Sequence, residues 1–487
     1  MRTATESDAI AALTEGEDQE LTLSPEDYSL LTDLYQLTMM ACYVGEGLEQ
    51  QSASFELFAR KLPEGFGYLI AMGLAQALDY LEKFRFSPAQ IDALQSTGIF
   101  GNAPERFWEL LAAAQFTGDV WAVPEGTAVF ANEPLLRVDA PLWQAQLVET
   151  YLLNAINYQT LIATRAARLR DVAGPQAQLL EFGTRRAFGP QASIWAARAA
   201  LAAGLDATSN VLAALKLGRK PAGTMAHALV MAVAASEGSE EGAFAAFHRY
   251  FPGAPLLIDT YDTIAAARLL AERVNQGEMR LEGVRLDSGD LVELSRGVRS
   301  HLPGVPIFAS GDLDEYEIAR LKNAGACIDG YGLGTKLVSG SPVNGVYKLV
   351  EIDGIPVMKE ASGKVTYPGR KQIFRYLENG QVVGDCLGLM TDEGRKKEEG
   401  RRNEGEERLE EDLSLVNCYQ SPVPLMELMV KDGERVRPVE SLEAIAQRTA
   451  AAVASLPPET RRLDRPISPI VEISPELEIL TERTKKR

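Results

Sequence analysis

Short apolar runs that end in small or charged residues recur through the middle of the chain, and a helical pattern follows each run. The run ends are QLLEFGTRR, AGLDATSN, KPAGTMAH, PLLIDTYDT, GVRLDSGD, PIFASGDL and CIDGYGLGT. A strand, a polar loop and a helix that recur every ~25 to 35 residues are typical of βα units around a parallel sheet. Roughly six or seven such units predict an α/β protein with an irregular (β/α) barrel, in which the loops after the strands share one face.

The sequence on either side of the predicted barrel has different secondary-structure patterns. From residue 28 to 142, helical segments alternate with strand-like segments such as SASFELFA, and a long alanine-rich helix is predicted from about Trp143 to Val172. After about residue 340, Asp-Gly, Ser-Gly and Asn-Gly pairs separate short strand patterns, as in a meander.

These patterns divide the chain into five predicted segments. The segments are a flexible extension at 1–27, an α+β part at 28–142, the catalytic barrel at 143–340, a β-rich part at 341–455 and an extended tail at 456–487. The extension is polar and acidic and has no periodicity. A mixed-charge stretch at 392–412 interrupts the β-rich part and is most simply a solvated loop or an exposed helix.

Composition favours a globular protein in a reducing compartment. The chain has 487 residues, of which 46% are hydrophobic, enough for a sizeable core. The four cysteines are far apart and form no C-x-x-C pair, so we expect neither a disulfide framework nor a structural zinc site. The N-terminus has no apolar signal segment, and no apolar run reaches the length of a membrane span. We therefore expect a cytoplasmic protein.

Net charge limits the classes of partner. A formal charge of -19 repels nucleic acids and anionic membrane surfaces at long range. An anionic small molecule would need locally placed arginines for its binding site.

Two strand-end segments contain such arginines. In EFGTRRAFG, Phe182 could stack on a ring, and the two arginines could bind a carboxylate or phosphate through paired hydrogen bonds. In GVRLDSGD, Arg285 lies near Asp287, a carboxylate that suits a ribose hydroxyl or a metal-bound water. Taken alone, adjacent arginines are more often a solvated surface, and the second segment could simply cap the next helix through Ser288 or Asp287.

Two further strand ends suit a sugar phosphate. In FASGDL, Ser310 and Gly311 permit close backbone approach, and Asp312 suits a sugar hydroxyl. GYGLGTKLVSG offers N–H groups on a glycine-rich loop, followed by Thr335 and Lys336. This loop lacks the G-x-x-x-x-G-K-[ST] pattern, so a P-loop is not supported.

The segment AGTMAHALVMA places His227, one of three histidines, at a predicted helix start. Thr224 is the predicted N-cap, which puts His227 in the first turn. The positive end of the helix dipole there favours a neutral imidazole and stabilises an anion attached to it, as a phosphoryl acceptor requires. Asp259 and Asp262 follow the next predicted strand, where a carboxylate could orient the ring. Taken alone, a histidine packed at a helix start is the simpler interpretation.

The ordered series of motifs strongly resembles nicotinate phosphoribosyltransferases. The motifs include SLLTDLYQLTMM, LLEFGTRRAFGPQAS, GTMAHALVMA, LLIDTYDT, GVRLDSGDL and GYGLGTKLV, and the resemblance runs from about residue 28 to about 430. It implies a type II phosphoribosyltransferase-like fold, with an irregular α/β barrel beside a β-rich α+β domain built from N-terminal and C-terminal segments.

The activity that this resemblance implies is the first step of NAD salvage from nicotinate. The enzyme would join nicotinate to 5-phosphoribosyl-1-diphosphate, with ATP as co-substrate and Mg²⁺ as cofactor, to give nicotinate mononucleotide and diphosphate. The implied partners are these small molecules and a second subunit in a homodimer with shared active sites.

The resemblance also implies roles for individual residues. The catalytic residues would be His227, as a phosphohistidine, and Asp287, to which the position of Asp259 after the next predicted strand adds an orienting carboxylate. The nicotinate site would comprise Tyr35, contributed by the neighbouring subunit, with Phe182, Thr224 and Arg285, and the hydroxyl of Ser209 in ATSN suits the nicotinate carboxylate. The phosphoribosyl diphosphate site would comprise Arg185, Gly311, Asp312, Gly334 and Thr335. No metal ligands can be assigned.

Three alternatives remain open at this point. A nicotinamide phosphoribosyltransferase is disfavoured because Ser209 and Asn210 suit a carboxylate, although Asp206 would oppose one if it pointed inward. An inactive ligand-sensing or scaffold protein on the same fold has no use for His227 among anion sites. A barrel enzyme for an ordinary sugar phosphate would not need the aromatic residues Tyr35 and Phe182.

Overall fold

The structure is a computed structural model that describes residues 21–361, 364–390 and 422–486. Most of the predicted extension and the whole charged stretch at 392–412 lie outside the described residues. Within those residues, no helix combines the length and the apolarity that a membrane span needs.

The elements before residue 174 are helices and short strands in alternation. They are α1 (Leu34–Gly45), β1 (Ser52–Ala59), β2 (Leu69–Ile70), α2 (Leu74–Glu82), α3 (Pro88–Ser96), α4 (Glu105–Ala112), β3 (Asp119–Ala122), β4 (Ala128–Val129), β5 (Pro134–Pro141), α5 (Leu142–Leu147) and α6 (Glu149–Ala173).

The middle of the chain alternates strands and helices. Its elements are β6 (Gln178–Glu181), α7 (Pro190–Ala202), β7 (Ala207–Thr208), α8 (Val211–Lys216), α9 (His227–Glu237), α10 (Glu241–Tyr250), β8 (Leu256–Leu257), α11 (Thr263–Asn275), β9 (Val284–Leu286), α12 (Leu291–His301), β10 (Ile307–Ala309), α13 (Glu315–Asn323), β11 (Gly330–Leu333) and α14 (Thr335–Val338).

The last part is rich in strands. Its elements are β12 (Gly345–Ile352), β13 (Ile355–Pro356), β14 (Glu360–Ala361), β15 (Lys364–Val365), β16 (Lys371–Glu378), β17 (Gln381–Leu389), β18 (Val423–Pro424), β19 (Glu427–Lys431), β20 (Glu434–Arg435), α15 (Leu442–Ser455), α16 (Pro458–Arg461), β21 (Ile470–Ile473) and α17 (Pro475–Lys485).

A seven-stranded antiparallel sheet joins strands from both ends of the chain, in the order β13-β12-β1-β5-β3-β19-β20. Strand β1 lies between β12 and β5, and seven of its eight residues are buried, because both of its faces are covered. A four-stranded sheet, β18-β16-β17-β21, and the short pairs β14-β15 and β2-β4 accompany it.

A buried ion pair joins β1 to the start of β16. The Nζ atom of Lys371 lies 2.9 Å from the Oε2 atom of Glu56, and the exposed fractions of the two side chains are 3% and 0%. The same ammonium donates to the carbonyl oxygens of Tyr367 and Gly369, each at 2.7 Å. Two protons of this ammonium therefore have carbonyl acceptors and the nearby carboxylate balances its charge, as a charge removed from water requires.

The predicted parallel sheet is present, with six strands in the order β7-β6-β11-β10-β9-β8. Its two edges are β7 and β8, and the chain between residues 222 and 224 spans the gap between them. The N–H of Ala222 donates to the carbonyl of Thr208 at 2.9 Å, and the hydroxyl of Thr224 donates to the carbonyl of Pro255. The strand order is that of a barrel, and this irregular segment stands where a further strand would close it.

Two predicted elements differ in detail. The helix predicted from Trp143 to Val172 is divided at Val148 into α5 and α6, although Val148 stays in the right-handed helical region (φ −79°, ψ −10°). The segment 456–486, predicted as an extended tail, contains α16, β21 and α17, and β21 pairs in parallel with β17. This segment includes Pro458 and Pro475, each the first residue of a helix, where the missing N–H has no partner to lose.

Candidate active site

Most of the predicted site residues lie at the carboxyl ends of the parallel strands. Phe182 and Arg185 follow β6, Ser209 follows β7, Asp259 follows β8, Asp287 follows β9, Gly311 and Asp312 follow β10, and Gly334 and Thr335 follow β11. Arg285 is the central residue of β9, and Thr224 and His227 belong to the chain that spans from β7 to β8. Because parallel strands present their carboxyl ends at one edge, these residues share the predicted face, here called the strand-end face.

His227 is the first residue of α9, and its two ring nitrogens face different groups. The Nδ1 atom lies 3.0 Å from the hydroxyl oxygen of Thr260. The Nε2 atom lies 3.9 Å from the Oδ1 atom of Asp259, which is beyond hydrogen-bond distance. The imidazole is 38% exposed, so a ligand can reach it.

Asp259 is oriented by its neighbours so that one oxygen is left for His227. Its Oδ2 atom accepts the N–H of Asp287 at 2.7 Å and the hydroxyl of Ser288 at 2.9 Å. Its Oδ1 atom is buried and has no hydrogen-bond partner among the described residues. A buried oxygen without a partner is costly, and a small approach of the imidazole N–H would satisfy it.

The prediction that Thr224 caps the helix is wrong. The N-cap residue of α9 is Ala226, whose side chain has no acceptor, and the hydroxyl of Thr224 donates to the carbonyl of Pro255. Thr224 therefore holds the backbone across the gap between β7 and β8. Within the described chain the first N–H groups of α9 have no side-chain cap, so they remain available to an anion attached to His227.

Arg285 is partly buried and incompletely hydrogen-bonded. Its Nη2 atom donates to the carbonyl of Met225 at 3.1 Å, whereas its Nε atom is buried without a partner in the described part of the chain. Burial lowers the pKa of the guanidinium, the carboxylates of Asp287 and Asp259 raise it, and Arg185 lowers it further. The unpaired N–H and the nearby positive charge of Arg185 suit an anionic ligand group.

Asp287 and Gly311 fit closely together. The hydroxyl of Ser310 donates to the Oδ1 atom of Asp287. Gly311 has φ +115°, and a Cβ atom there would lie 2.9 Å from the carbonyl oxygen of Asp287, so both its conformation and its surroundings require glycine. Asp312, next to it, is exposed.

The helix caps in this region come from other aspartates. Asp290 accepts the N–H groups of Val292 and Glu293 and caps α12, so the alternative in which Ser288 or Asp287 does so is wrong. Asp262 caps α11 in the same way, and this occupies one of the two carboxylates predicted near His227. Asp259 is the one that remains.

Phe182 lies against a glycine of the neighbouring strand. Its N–H donates to the carbonyl of Leu333 at 2.7 Å, which fixes the backbone next to β11. A Cβ atom built on Gly332 would lie 2.5 Å from the Cε2 atom of the Phe182 ring. One edge of the ring is therefore supported by bare backbone, and the side chain remains partly exposed.

The segment ATSN contributes less than predicted. Asn210 is 6% exposed, caps α8 by accepting the N–H of Ala213, and donates to Ser193 at 3.3 Å, so it is not free to bind a carboxylate. Ser209 is half-buried, and its N–H donates to the carbonyl of Glu181. Asp206 pairs with Arg170 at 2.6 Å before β7 begins, so it does not oppose an anion at the strand ends.

Tyr35 lies beside the chain that follows β6 and β11, but it shares its cleft with neither Phe182 nor His227. Its side chain is 47% exposed and lines a cleft of about 430 Å³ together with Glu149, Tyr158 and Phe188. Burial, and next the charge of Glu149, raise the pKa of the phenol. Neither His227 nor any residue of β9 lines this cleft.

The glycine-rich loop after β11 is anchored by hydrogen bonds from Arg165. Gly334 precedes α14, and Thr335 is its first residue. The guanidinium of Arg165 donates to the carbonyl oxygens of Lys336 and Ser339, which fixes the path of the loop.

Sequence reasoning missed Thr260 and Glu181, each of which supports a predicted residue. It named Ser310 for close backbone approach and not for the hydroxyl that donates to Asp287. Thr260 and Glu181 lie within the strand-end segments, next to residues that were singled out. Their residue types gave no signal, because hydroxyl groups are common in loops and Glu181 is placed inside a strand.

Comparisons with known proteins identify the family of these motifs. Three family models match the chain: the nicotinate phosphoribosyltransferase N-terminal domain over residues 30–157, the nicotinate phosphoribosyltransferase family over 177–308, and the nicotinate phosphoribosyltransferase C-terminal domain over 370–481.

Similar proteins cover nearly the whole chain. A nicotinate phosphoribosyltransferase of Mycobacterium tuberculosis is 41% identical over 447 residues, covering 90% of this chain and 89% of that protein. The human enzyme of that name is 34% identical over 520 residues, covering 93% and 95%. The crystal structure of human nicotinic acid phosphoribosyltransferase matches with a TM-score of 0.77 at 32% identity, covering 93% of this chain and 99% of that one. A nicotinate-nucleotide pyrophosphorylase from Pyrococcus furiosus shares the fold, with a TM-score of 0.70 at 24% identity.

Proposed function

The chain belongs to the nicotinate phosphoribosyltransferase family, and we propose that its strand-end face is where nicotinate is joined to 5-phosphoribosyl-1-diphosphate. The protein is an enzyme of NAD biosynthesis that acts in salvage from nicotinate, giving nicotinate mononucleotide and diphosphate with coupled use of ATP. The observation that carries the assignment of the site is the arrangement of His227, Asp259 and Arg285 within one strand-end face.

His227 is the proposed phosphoryl acceptor. A neutral ring nitrogen attacks the γ-phosphorus of ATP, the bond to ADP breaks, and the phosphoryl group stays on the imidazole. The free N–H groups at the start of α9 stabilise the added charge by about 0.3–1 kcal/mol. Asp259 acts as the orienting carboxylate, since its buried Oδ1 atom faces the ring.

The base is assigned to residues of β9 and of the chain after β6 and β7, and the sugar phosphate to residues after β6, β10 and β11. Phe182 stacks on the pyridine ring, and Arg285 binds the nicotinate carboxylate through its unpaired N–H. Thr224 and Ser209 complete this site with hydroxyl groups. Nicotinate is already a nucleophile, so catalysis requires only that its ring nitrogen be held close to the anomeric carbon while diphosphate departs.

The phosphoribosyl diphosphate site comprises Arg185, Gly311, Asp312, Gly334 and Thr335. Asp287 approaches the ribose, with its carboxylate held by Ser310. Gly311 and Gly334 keep the backbone N–H groups accessible, and Arg185 supplies the cation that a protein of net charge -19 must provide locally.

Mg²⁺ fits this site as a companion of the substrate. Among the described residues no cluster of three or more His, Cys, Asp or Glu side chains is arranged to hold a metal ion. Mg²⁺ commonly uses one or two carboxylates together with substrate phosphates, and the exposed carboxylate of Asp312 could supply such a ligand. When bound, the ion would neutralise charge that develops on the leaving diphosphate.

A homodimer with shared sites accounts for Tyr35. The ring is nearly half exposed, and Phe182 of its own chain is not among the residues that line its cleft, so it would meet the pyridine ring of a second subunit. Helix α8, next to Ser209, exposes Val211, Leu212 and Leu215 by 58%, 52% and 65%, and an apolar surface of this kind favours burial against another chain.

Side chains also bear on the choice of substrate and on the cellular compartment. Preference for nicotinate over nicotinamide is supported by Arg285, since a guanidinium gains more from a carboxylate than from an amide. Cys42, Cys327 and Cys386 are free thiols, which favours the reducing cytoplasm as the compartment.

The central test measures nicotinate mononucleotide formation with and without ATP, for the wild type and for His227→Ala. We expect ATP to stimulate the wild type and acid-labile label from γ-labelled ATP to be absent from the variant. His248→Ala, a matched change of another half-buried histidine on α10, should retain both. Equal labelling of the wild type and His227→Ala would remove His227 from the mechanism, and no product from nicotinate would refute the function.

A subunit-mixing experiment tests the shared sites. Tyr35→Ala and His227→Ala should each be nearly inactive alone. After unfolding and refolding together, half of the dimers are hybrids, and each hybrid has one site with both native residues. Activity should therefore return to about a quarter of the wild type. Recovery that never exceeds the sum of the separate variants would place both residues in one chain's site or exclude the dimer.

A further inference from the structure

Glu181 ends β6 with a side chain that links the exits of two neighbouring strands. It is fully buried, with 0% exposed. One carboxylate oxygen accepts the N–H of Gly183, and the other accepts the hydroxyl of Thr208, the last residue of β7. The Oγ1 atom of Thr208 in turn accepts the N–H of Asn210 at 2.9 Å. A single carboxylate therefore connects the turn after β6 to the turn after β7.

These two turns carry two of the residues proposed to bind nicotinate. Phe182 lies between Glu181 and Gly183, so the bond from the carboxylate to Gly183 closes around the backbone of Phe182. Ser209 lies between Thr208 and Asn210, and its own N–H donates to the carbonyl of Glu181 at 2.9 Å. Both residues are thus enclosed by hydrogen bonds that begin at Glu181.

The carboxylate occupies its position without an ion pair in the described part of the chain. Its partners there are a hydroxyl and a backbone N–H, and burial raises the pKa of the group while these hydrogen bonds lower it. A buried acid without a cation is expensive compared with an apolar side chain of similar size. Packing alone therefore does not explain an acid at this position.

The turn after β6 is shaped to admit this side chain. A Cβ atom on Gly183 would lie 2.8 Å from the Oε1 atom of Glu181 and 2.3 Å from the Cγ1 atom of Val338. Only glycine leaves room for the carboxylate to fold back onto the N–H of residue 183. The Glu181 carboxylate needs glycine at position 183, and its hydrogen bond in turn stabilises this turn.

We propose that Glu181, acting through Thr208, is a positioning residue that sets the spacing between Phe182 and Ser209 for the pyridine ring. This role rests on the proposed function of the strand-end face. Glu181 does not touch the substrate in this arrangement. It keeps the turn after β6, which carries the ring of Phe182, at a fixed distance from the turn after β7, which carries the hydroxyl of Ser209.

The test compares steady-state constants of Thr208→Val, Glu181→Ala and Glu181→Gln. Valine keeps the shape of Thr208 but removes the hydroxyl, so the link between the turns is lost. We expect Thr208→Val and Glu181→Ala to raise the KM for nicotinate roughly tenfold, with the KM for phosphoribosyl diphosphate within about twofold of the wild type. Glu181→Gln keeps an acceptor for Gly183 and an amide that can bond to Thr208, so it should restore most of the affinity.

The matched control is Thr481→Val, which removes a buried hydroxyl from α17, far along the chain from the site. This control should leave kcat and the KM values for nicotinate and phosphoribosyl diphosphate unchanged. A uniform fall in kcat, or equal rises in both KM values, would mean that Glu181 is only structural, and unchanged constants would overturn the proposal as well. If Glu181→Ala does not fold, Thr208→Val and Glu181→Gln decide the question. The wild type's turnover of nicotinate, measured in the same series, tests the proposed function separately.

Discussion

The Nδ1 atom of His227 lies 3.0 Å from the Oγ1 atom of Thr260, so the residue after Asp259 is also a partner of the imidazole. Together the two neighbours face both ring nitrogens, Thr260 at Nδ1 and Asp259 near Nε2. The hydrogen bond at Nδ1 gives the ring a defined orientation, and Nε2, which makes no hydrogen bond to Asp259, stays open to a phosphoryl group.

Thr260→Val removes the hydroxyl that contacts Nδ1 and keeps the side-chain shape. We expect ATP-dependent labelling of His227 and kcat to fall roughly tenfold, as is common for partners that orient a reactive imidazole. The measurement is single-turnover labelling with γ-labelled ATP. Thr484→Val, a half-buried threonine on α17, is the control, and equal labelling rates in the two variants would show that Thr260 has no such role.

Gly332→Ala introduces a methyl group where the ring of Phe182 lies, at 2.5 Å from its Cε2 atom. The ring must shift, and we expect the KM for nicotinate to rise by about tenfold or more while the protein remains folded. Gly253→Ala is the control, because nothing lies within 4 Å of a Cβ atom there. An unchanged KM in Gly332→Ala would show that the position of this ring does not matter for the base.

Glu133 gives a prediction about pH. It is 1% exposed and lies beside the ion pair of Arg375 and Asp385, whose nitrogen and oxygen atoms approach to 2.6 Å. Burial and the negative charge of Asp385 raise the pKa of Glu133 well above the ordinary value of a glutamate. The folded protein therefore binds a proton that the unfolded chain releases, so this group's contribution to stability is complete below about pH 4.5 and is lost as pH rises through the folded-state pKa.

Glu133→Gln imitates the protonated acid at every pH. The variant should gain stability relative to the wild type as pH rises, by up to ~1.4 kcal/mol per pH unit within the titration range, and the two should converge near pH 4.5. Urea unfolding at pH 5, 7 and 9 measures the difference. A difference that is constant across this range, or that shrinks with rising pH, contradicts the assignment.

Lys371→Met leaves the carboxylate of Glu56 buried without its cation. Breaking a buried pair in this way should lower the free energy of unfolding by about 3–5 kcal/mol. Replacing both residues, with Glu56→Leu and Lys371→Met, should restore much of the loss, because two apolar side chains need no compensation. Lys485→Met, at an exposed pair with Glu482, should cause no measurable change in denaturant unfolding. Equal effects of Lys371→Met and Lys485→Met would contradict the claim.

The parallel sheet and its strand-end face were predictable because each strand is a short apolar run that ends in glycine or aspartate. Side-chain partners were less predictable, as Asp259 and Asp262 show. Both follow β8, but Asp262 caps α11 and only Asp259 keeps an oxygen for His227. The two aspartates differ in role because α11 begins directly after Asp262, and their shared residue type does not reveal where that helix begins.

Thr224 illustrates the same limit at a helix start. Threonine favours the N-cap position, but the segment from 222 to 224 must also span the gap between two strand edges, and a bond to Pro255 serves that purpose. Tyr35 illustrates a second limit. Its motif is recognisable in the sequence, yet only the fold shows that its cleft is lined by neither Phe182 nor His227.

The irregular segment between β7 and β8 has a consequence for how His227 can move. A residue on a regular strand shares in a continuous ladder, but the backbone that leads into α9 is attached on one side through Ala222 and on the other through Thr224. Few hydrogen bonds therefore hold the backbone that carries the imidazole, and a small shift of His227 would leave the pairing of the six strands intact.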